Sequence, residues 1–459
     1  MADEKQRYSM YDLIAKKRDG GQLERPELAF WLQGMLAGSV PDYQTAAMLM
    51  AIFWRGLDEA ETFALTEEIV ASGEQLDLQG LTGVTADKHS TGGVGDKTTL
   101  IAMPLAAACG LKIAKMSGRS LGKTGGTADK LASVPGFRLD LPEAELLRQV
   151  SEVGLAVVAQ NKNLTPADKR LYALRDMTAT VDSLPLIAAS VMSKKIAAGA
   201  QVIVLDVKYG SGAFMPDVDS AIKLAQLMVK LGQSRGRRVT AVLSAMSVPL
   251  GAAVGNALEV AEAAEILRQA ECAPVSADLR RLCLVLAGEM LYLGGLAANR
   301  AEGWRQAEAA LQDGRGWAKL LQFLQAQGGD TAALEAGNLV QAAYILPIKA
   351  DCAGYLAPVD AARVAEIVQF LGAGRERVED EIDYQVGVRF HKPAGAWVEQ
   401  GELLADFYAS SLLRAEAAER ELRSILQILP EPPQLEPLIW GLVDEHGQAR
   451  PWAELINQQ

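Results

Sequence analysis

The sequence predicts an α/β protein with a helical lobe: a mostly parallel sheet flanked by helices, followed by a C-terminal α+β domain. Three observations carry this. Apolar residues keep helical spacing as far as about residue 73. From about residue 84, short β-branched runs alternate with helical stretches, as in chains of βαβ units. From about residue 345 the texture turns to short strands and turns.

The first lobe shows apolar residues at helical spacing in Tyr11–Ile14, Leu28–Leu36, Ala46–Phe53 and Phe63–Val70. Pro26 suits a first helical turn, Asp58 followed by Glu61 reads as a capping box, and Gly73 as a stop. Strands are expected at Ile113–Met116, Leu155–Ala159, Val202–Val207 and Val239–Leu243, with helices at about 97–109, 142–153, 219–232 and 256–269. Residues 165–200 read as helix again and are assigned to the first lobe. The expected domains are therefore helical over 1–73 and 161–199, and α/β over 74–160 and 200–340. A third domain covers 345–430, with a strand at Ile382–Phe390 and a helix at Leu412–Leu426. Residues 431–459, beginning within "PEPPQLEP", read as a linker and an appended tail. A chain that crosses between two lobes places its site in the cleft between them.

Bulk properties exclude several functions. A net charge of −12 over 459 residues opposes nucleic acid while leaving room for a small anion in a local basic pocket. No apolar run reaches the roughly 18–20 residues of a membrane helix, so no membrane partner is expected. The start, "MADEKQRYSMYDL", is too charged for a secretory signal. Cys109, Cys272, Cys283 and Cys352 are scattered, which fits a reducing cytoplasm. His89, His391 and His446 have no partner at metal-ligand spacing, so no metal site is expected.

Two glycine-rich loops carry the chemistry, "DKHSTGGVGDKTT" (Asp87–Thr99) and "KMSGRSLGKTGGT" (Lys115–Thr127). Lysines, hydroxyls and unhindered backbone N–H groups are concentrated in both, which points to an anion. "GRSLGKT" is one residue too short between its glycines for a nucleotide P-loop. His89 lies within the first loop, where it could donate to a second substrate. Ser190 and Lys194, four apart, share a helix face, and with Arg175 they could bind polar oxygens and ring nitrogens. No base stands beside Ser190 to make it a nucleophile.

Together "KHSTGGVGD", "SGR…TGGTADKL", "ALRDMTATVDSLPLI", "SKK", "DVKYGSGAFM" and "PLGAAVGNALEV" resemble the thymidine and pyrimidine-nucleoside phosphorylase family, in its order. The resemblance runs from near the N-terminus to about residue 430. It implies reversible phosphorolysis of thymidine, uridine and deoxyuridine to free base and pentose 1-phosphate. A strict thymidine phosphorylase and an anthranilate-type phosphoribosyltransferase are the alternatives. It implies Lys88, Ser90, Thr99, Lys115, Ser117 and Thr127 on phosphate, and His89, Arg175, Ser190 and Lys194 on the pyrimidine. His89, Arg175 and Lys194 would take the catalytic role of stabilising the departing base. Members are similar homodimers joined through the helical lobe. Inorganic phosphate is a co-substrate and no cofactor is expected. Some bacterial relatives have Thr at position 97 and bind potassium near Leu250, Ala253 and Glu262; here Lys97 is expected to replace that ion. Lys123, Ser120, Ala132 and Ala245 depart from the family pattern.

Overall fold

The computed structural model describes residues 8–118, 125–159, 163–268, 272–375 and 380–456. Lys123 and Ser120, two of the four departures, lie outside the described residues. The chain opens with four helices, α1 (Met10–Arg18), α2 (Arg25–Ala37), α3 (Asp42–Arg55) and α4 (Glu59–Ala71). Pro26 stands in the first turn of α2, and Asp58 and Glu61 form the reciprocal cap of α4. Two later helices, α8 (Pro166–Met177) and α9 (Leu184–Ala197), return to this lobe. Ala167, Leu171, Leu186 and Ala189 join Leu28, Trp31, Leu32, Leu49, Ile52 and Leu65 in one apolar core. The other side of α9 belongs elsewhere. Ile187, Val191, Met192 and Ile196 pack against the sheet residues Ile203, Leu205 and Val239 and helix α10 (Val218–Ser234). One helix therefore serves both lobes.

The central sheet is built from β1 (Ala86–Ser90), β2 (Ile113–Ser117), β3 (Leu155–Ala159), β4 (Val202–Tyr209) and β5 (Arg238–Ala245). β2 pairs with β3, β1 with β4, and β4 with β5, all in parallel. A parallel bridge between Thr85 and Lys112, with Ala86 N donating to Lys112 O at 2.9 Å, joins the two groups. Helices α5 (Thr98–Ala108), α7 (Glu143–Val153), α11 (Asn256–Arg268), α12 (Ala277–Leu293), α13 (Arg300–Gln312) and α14 (Arg315–Ala326) complete the domain, with the short α6 (Thr127–Ala132) and α15 (Ala332–Glu335).

The tail corrects the sequence reading. Within 431–459, the run "IWGLV" forms β13 (Ile439–Val443) and pairs antiparallel with β5. β14 (Ala449–Pro451) and α18 (Trp452–Ile456) follow. The run is apolar, aromatic and β-branched, and the edge of β5 offers unpaired backbone groups. The segment is thus an outer strand of the central sheet.

The C-terminal domain has two small sheets. One runs β6-β9-β11-β7, from β6 (Ala253–Val254), β7 (Tyr344–Lys349), β9 (Gly387–Phe390) and β11 (Leu403–Ala409). The other runs β10-β8-β12, from β8 (Gly354–Leu356), β10 (Trp397–Val398) and β12 (Ile428–Leu429). Helices α16 (Ala361–Val368) and α17 (Leu412–Ile425) cover them. The strand expected at Ile382–Phe390 is shorter, because Asp383 turns the chain by accepting from the Gln385 N–H at 3.0 Å. β6 belongs to the α/β domain, so its pairing with β9 welds the two domains together. The approach is close: a Cβ on Gly387 would stand 2.2 Å from Val254 O. Val388, Phe407 and Ala415 accordingly share one core with Leu105 and Val204.

Candidate active site

Along a strand, alternate residues share a face. On β1 this places Lys88 and Ser90 toward α5 and α12, and Asp87 and His89 toward α9. The expected loop from Asp87 therefore begins as strand: Asp87–Ser90 are the end of β1, held by β4 although the sequence "DKHS" is polar. His89 stands on a strand end and not inside a loop.

On the α5 face, Lys88 is fully buried. Its ammonium bonds Thr98 Oγ1 and lies 3.5 Å from Asp206 Oδ2. Lys208 Nζ reaches the same carboxylate at 2.8 Å and Ser244 Oγ at 3.0 Å. Thr98 Oγ1 donates to Asp96 Oδ1 at 2.5 Å. Burial alone would raise the Asp96 pKa, but Lys88, Lys208 and hydrogen bonds from Ser90 and Thr98 hold it well below the ordinary carboxylate value. Thr99 is buried in the first turn of α5.

On the α9 face, Lys195 Nζ donates to Asp87 Oδ2 at 2.7 Å and approaches Met116 O at 3.5 Å. Lys115 Nζ donates to Lys88 O at 2.6 Å and lies 3.7 Å from Asp87 Oδ1. Burial, then Lys195 and Lys88 working against Asp87, bring the Lys115 pKa down to about 7. Burial, followed by Lys195, Lys115, Lys194 and Lys88, holds the His89 imidazole well below its usual value, so it is neutral near pH 7. Four lysines (Lys88, Lys115, Lys195, Lys208) face three aspartates (Asp87, Asp96, Asp206) in this cluster. Among these seven groups the positive charges exceed the negative by one; burial is the first cause of the lowered Lys115 pKa, and Lys195 and Lys88 add to it. An entering anion would relieve that excess.

Ser90, Ser117 and Thr127 keep partly exposed side chains around this cluster. Ser117 ends β2, and Thr127 opens α6. A cavity of about 390 Å³ opens beside Met116, between β3, the start of α7 and the segment Glu74–Leu76 that leaves the helical lobe.

The second group lies on α8 and α9. Lys194 Nζ donates to Ser190 Oγ at 2.9 Å, pairs with Asp168 Oδ2 at 2.5 Å, and stands 5.7 Å from the centre of the Tyr172 ring. Arg175 is buried, and its guanidinium donates to the carbonyls of Thr180 at 3.3 Å, Leu186 at 3.1 Å and Val181 at 2.6 Å. Three of its five N–H donors are thus engaged with the turn after α8 and the first turn of α9.

Lys97 lies apart from both groups. Fully buried, its Nζ donates to Leu250 O at 2.9 Å, Ala253 O at 2.7 Å and Glu262 Oε2 at 2.6 Å. Burial alone would raise the Glu262 pKa, but Lys97 leads the groups that hold it below its ordinary value. Among the described residues no group of three His, Cys, Asp or Glu side chains could hold a metal, and no helix is long and apolar enough to cross a membrane.

The structure brings His89, Lys115, Ser117 and Lys194 to one end of the sheet. It turns the Lys88 ammonium inward, onto Asp206 and Thr98. Sequence reasoning passed over Asp96, Asp168, Asp206 and Lys208, and gave Lys195 no role of its own. Asp206 and Lys208, two apart in "DVKYG", share a strand face, and that spacing was a readable signal. Nothing local distinguishes Asp168, whose partner is 26 residues away.

Comparison with known proteins defines the class. Residues 82–317 match the a/b domain of the glycosyl transferase family, residues 11–73 its helical bundle domain, and residues 355–429 the pyrimidine nucleoside phosphorylase C-terminal domain. The chain is 47% identical over 435 residues to the pyrimidine-nucleoside phosphorylase of Geobacillus stearothermophilus, covering 95% of this chain and 99% of that one. It is 46% identical to the Bacillus subtilis enzyme of the same name, over 87% of this chain and 92% of the relative. A crystal structure of anthranilate phosphoribosyltransferase from Thermus thermophilus shares the fold, with a TM-score of 0.56 at 21% identity, over 69% of this chain and 99% of that one. The chain belongs to the pyrimidine-nucleoside phosphorylase family.

Proposed function

We propose that this protein catalyses the reversible phosphorolysis of pyrimidine nucleosides, thymidine, uridine and deoxyuridine among them, giving free base and (deoxy)ribose 1-phosphate. One observation carries the reading. α9 lies across the end of β1, so Lys195 reaches Asp87 and Met116 O while its neighbour Lys194 adds to the field on His89. A lysine-rich anion pocket and a set of donors suited to a pyrimidine therefore adjoin.

Phosphate is already a nucleophile, so the reaction needs neither a covalent enzyme intermediate nor a metal. It attacks the anomeric carbon as the glycosidic bond loosens, through a transition state with oxocarbenium character. Ser90, Thr99, Lys115, Ser117 and Thr127 seat it, with Lys88 supplying charge from beneath. Negative charge grows on the departing pyrimidine, and Lys194, Arg175 and neutral His89 as a donor stabilise it more than the ground state. Ser190 orients the ring. Holding the phosphate in line supplies an entropic gain of several kcal/mol, up to about 7–11 in the best-oriented systems.

In this reading Lys97 occupies the place of a monovalent cation, its ammonium satisfying two carbonyls and Glu262, and no potassium is required. Tyr11, Tyr43 and Trp54 on α1 and α3 are 73%, 75% and 77% exposed. Large exposed side chains of this kind support a homodimer formed through the helical lobe. A cytoplasmic location, and nucleoside and phosphate as the small-molecule partners, complete the proposal.

The test incubates the protein with inorganic phosphate and thymidine, uridine, deoxyuridine or cytidine in turn, and measures free base. Release from thymidine and uridine is expected. Release from thymidine alone would restrict the proposal to strict thymidine phosphorolysis, and release from none would overturn it. Turnover of phosphoribosyl pyrophosphate with an aromatic amine acceptor would favour the fold neighbour's class of chemistry.

A further inference from the structure

The second glycine-rich loop rejoins the described chain at Gly125, and α6 holds its base. The Gly126 N–H donates to Asp129 Oδ2 at 3.0 Å, and Lys130 Nζ donates to Gly125 O at 2.7 Å. Both side chains are buried, and each answers a charge from another part of the molecule. Arg375 Nη1, from the C-terminal domain, lies 3.2 Å from Asp129 Oδ1. Glu259 Oε2, on α11, lies 3.1 Å from Lys130 Nζ.

The same two elements reach the first loop. Glu262, three residues beyond Glu259 on α11, holds Lys97 at the entrance to α5. Ala253, whose carbonyl also receives Lys97, sits in β6 and pairs with Arg389 of β9. Asn256, the first residue of α11, donates to Ala373 O at 2.9 Å, two residues before Arg375. A Cβ on Gly125 would stand 2.0 Å from Asn256 Oδ1, so the loop base has no slack on that side. Both loops directed at phosphate are thus fastened to one body formed by α11 and the C-terminal domain.

We propose that Arg375 is a positioning residue for phosphate: through Asp129, the C-terminal domain sets the base of the second glycine-rich loop. This rests on the phosphorolysis reading. Among the described residues Asp129 does at least two things. One oxygen fixes Gly126, directly before Thr127, and the other carries charge that Arg375 answers. Without Arg375 the loop base loses a fixed point, and a buried carboxylate less well compensated stands behind an incoming dianion. Both effects weaken phosphate. The nucleoside-directed residues on α8 and α9 share none of these contacts.

The test uses the full chain as Arg375→Met, Arg375→Lys and Asp129→Asn, with initial rates measured against inorganic phosphate and, separately, against thymidine. Arg375→Met is expected to raise the phosphate KM roughly tenfold or more, in line with the cost of small misplacements around a reacting group. The thymidine KM should stay within about twofold. Arg375→Lys, which keeps a cation, should recover part of the loss. Equal rises in both KM values, an unchanged phosphate KM, or no recovery with lysine would overturn the proposal. Should Arg375→Met fail to fold, Asp129→Asn decides: it keeps an acceptor for Gly126 but removes the carboxylate that Arg375 answers, so the phosphate KM should change selectively, and a phosphate KM that moves no more than the thymidine KM refutes the role. A wild-type protein that releases no base fails the phosphorolysis reading itself, whereas an active wild type with unselective variants fails only this inference.

Discussion

Replacing Lys97 with threonine tests whether a side-chain ammonium stands in for an ion. The substitution removes a fully buried cation and three hydrogen bonds of 2.6–2.9 Å. Breaking one partner of a buried ion pair costs about 3–5 kcal/mol. The lower end applies, because Glu262 keeps the Ala252 and Ala253 N–H groups and the Ser276 hydroxyl as donors at 2.7–2.8 Å. A loss of about 3 kcal/mol is therefore expected in a buffer whose only cation is tetramethylammonium. The vacated space is lined by two carbonyls and a carboxylate, a donor set suited to a hard monovalent cation. Potassium at about a hundred times its dissociation constant would restore roughly 2.7 kcal/mol. Urea unfolding of wild type and variant, with and without potassium, reads this as a shift in midpoint. The wild type should not respond to potassium in stability or in activity. A wild type activated by potassium, or a variant as stable as wild type in tetramethylammonium, would refute the reasoning.

Three further outcomes are expected. With its pKa lowered to about 7, Lys115 is mostly neutral at pH 8 in the empty protein. A phosphate dianion raises that pKa, so binding at pH 8 should take up close to one proton, about 0.9 by linkage; titration calorimetry in two buffers of different ionisation enthalpy measures it, and Lys115→Met should abolish it. On the proposed reading Lys194→Gln takes a cation from the departing base and should lower kcat by about 10²–10³, the cost of one transition-state donor, with the phosphate KM unchanged; parallel loss of phosphate affinity would contradict separate seats for phosphate and base. Deleting residues 438–459 bares the β5 edge and removes the Trp304–Trp452 stack at 5.0 Å. Thermal unfolding should shift down and light scattering reveal self-association, while the kinetic constants of the folded fraction hold.

Much of the fold was legible, because its signals are local. Helical spacing in the first lobe, the Asp58–Glu61 cap and the apolar runs of β3, β4 and β5 each declare themselves within a dozen residues. The polar strand β1 did not, since "DKHS" becomes a strand only through β4 beside it. The tail was misread for the converse reason: its proline-rich approach suggests a linker, and only the open edge of β5 gives "IWGLV" a partner. Residue types at the candidate site were readable from the two loops and from "SKK". Orientation was not, and Lys88 and Arg175 are turned onto partners within the protein, at Asp206 and at the turn after α8.

The sequence by itself carried the family, because the blocks from "KHSTGGVGD" to "PLGAAVGNALEV" stand in its order, and the glycines, hydroxyls and lysines crowded into two short loops are what the proposal of a small anion rests on. It also determined which segments form helices and most strands, since periodicity and capping act over a few residues. Only the tertiary structure decided how the charges pair. Burial makes each lysine's state depend on the carboxylates that surround it in space, and those come from strands and helices up to 165 residues apart along the chain, as with Lys97 and Glu262.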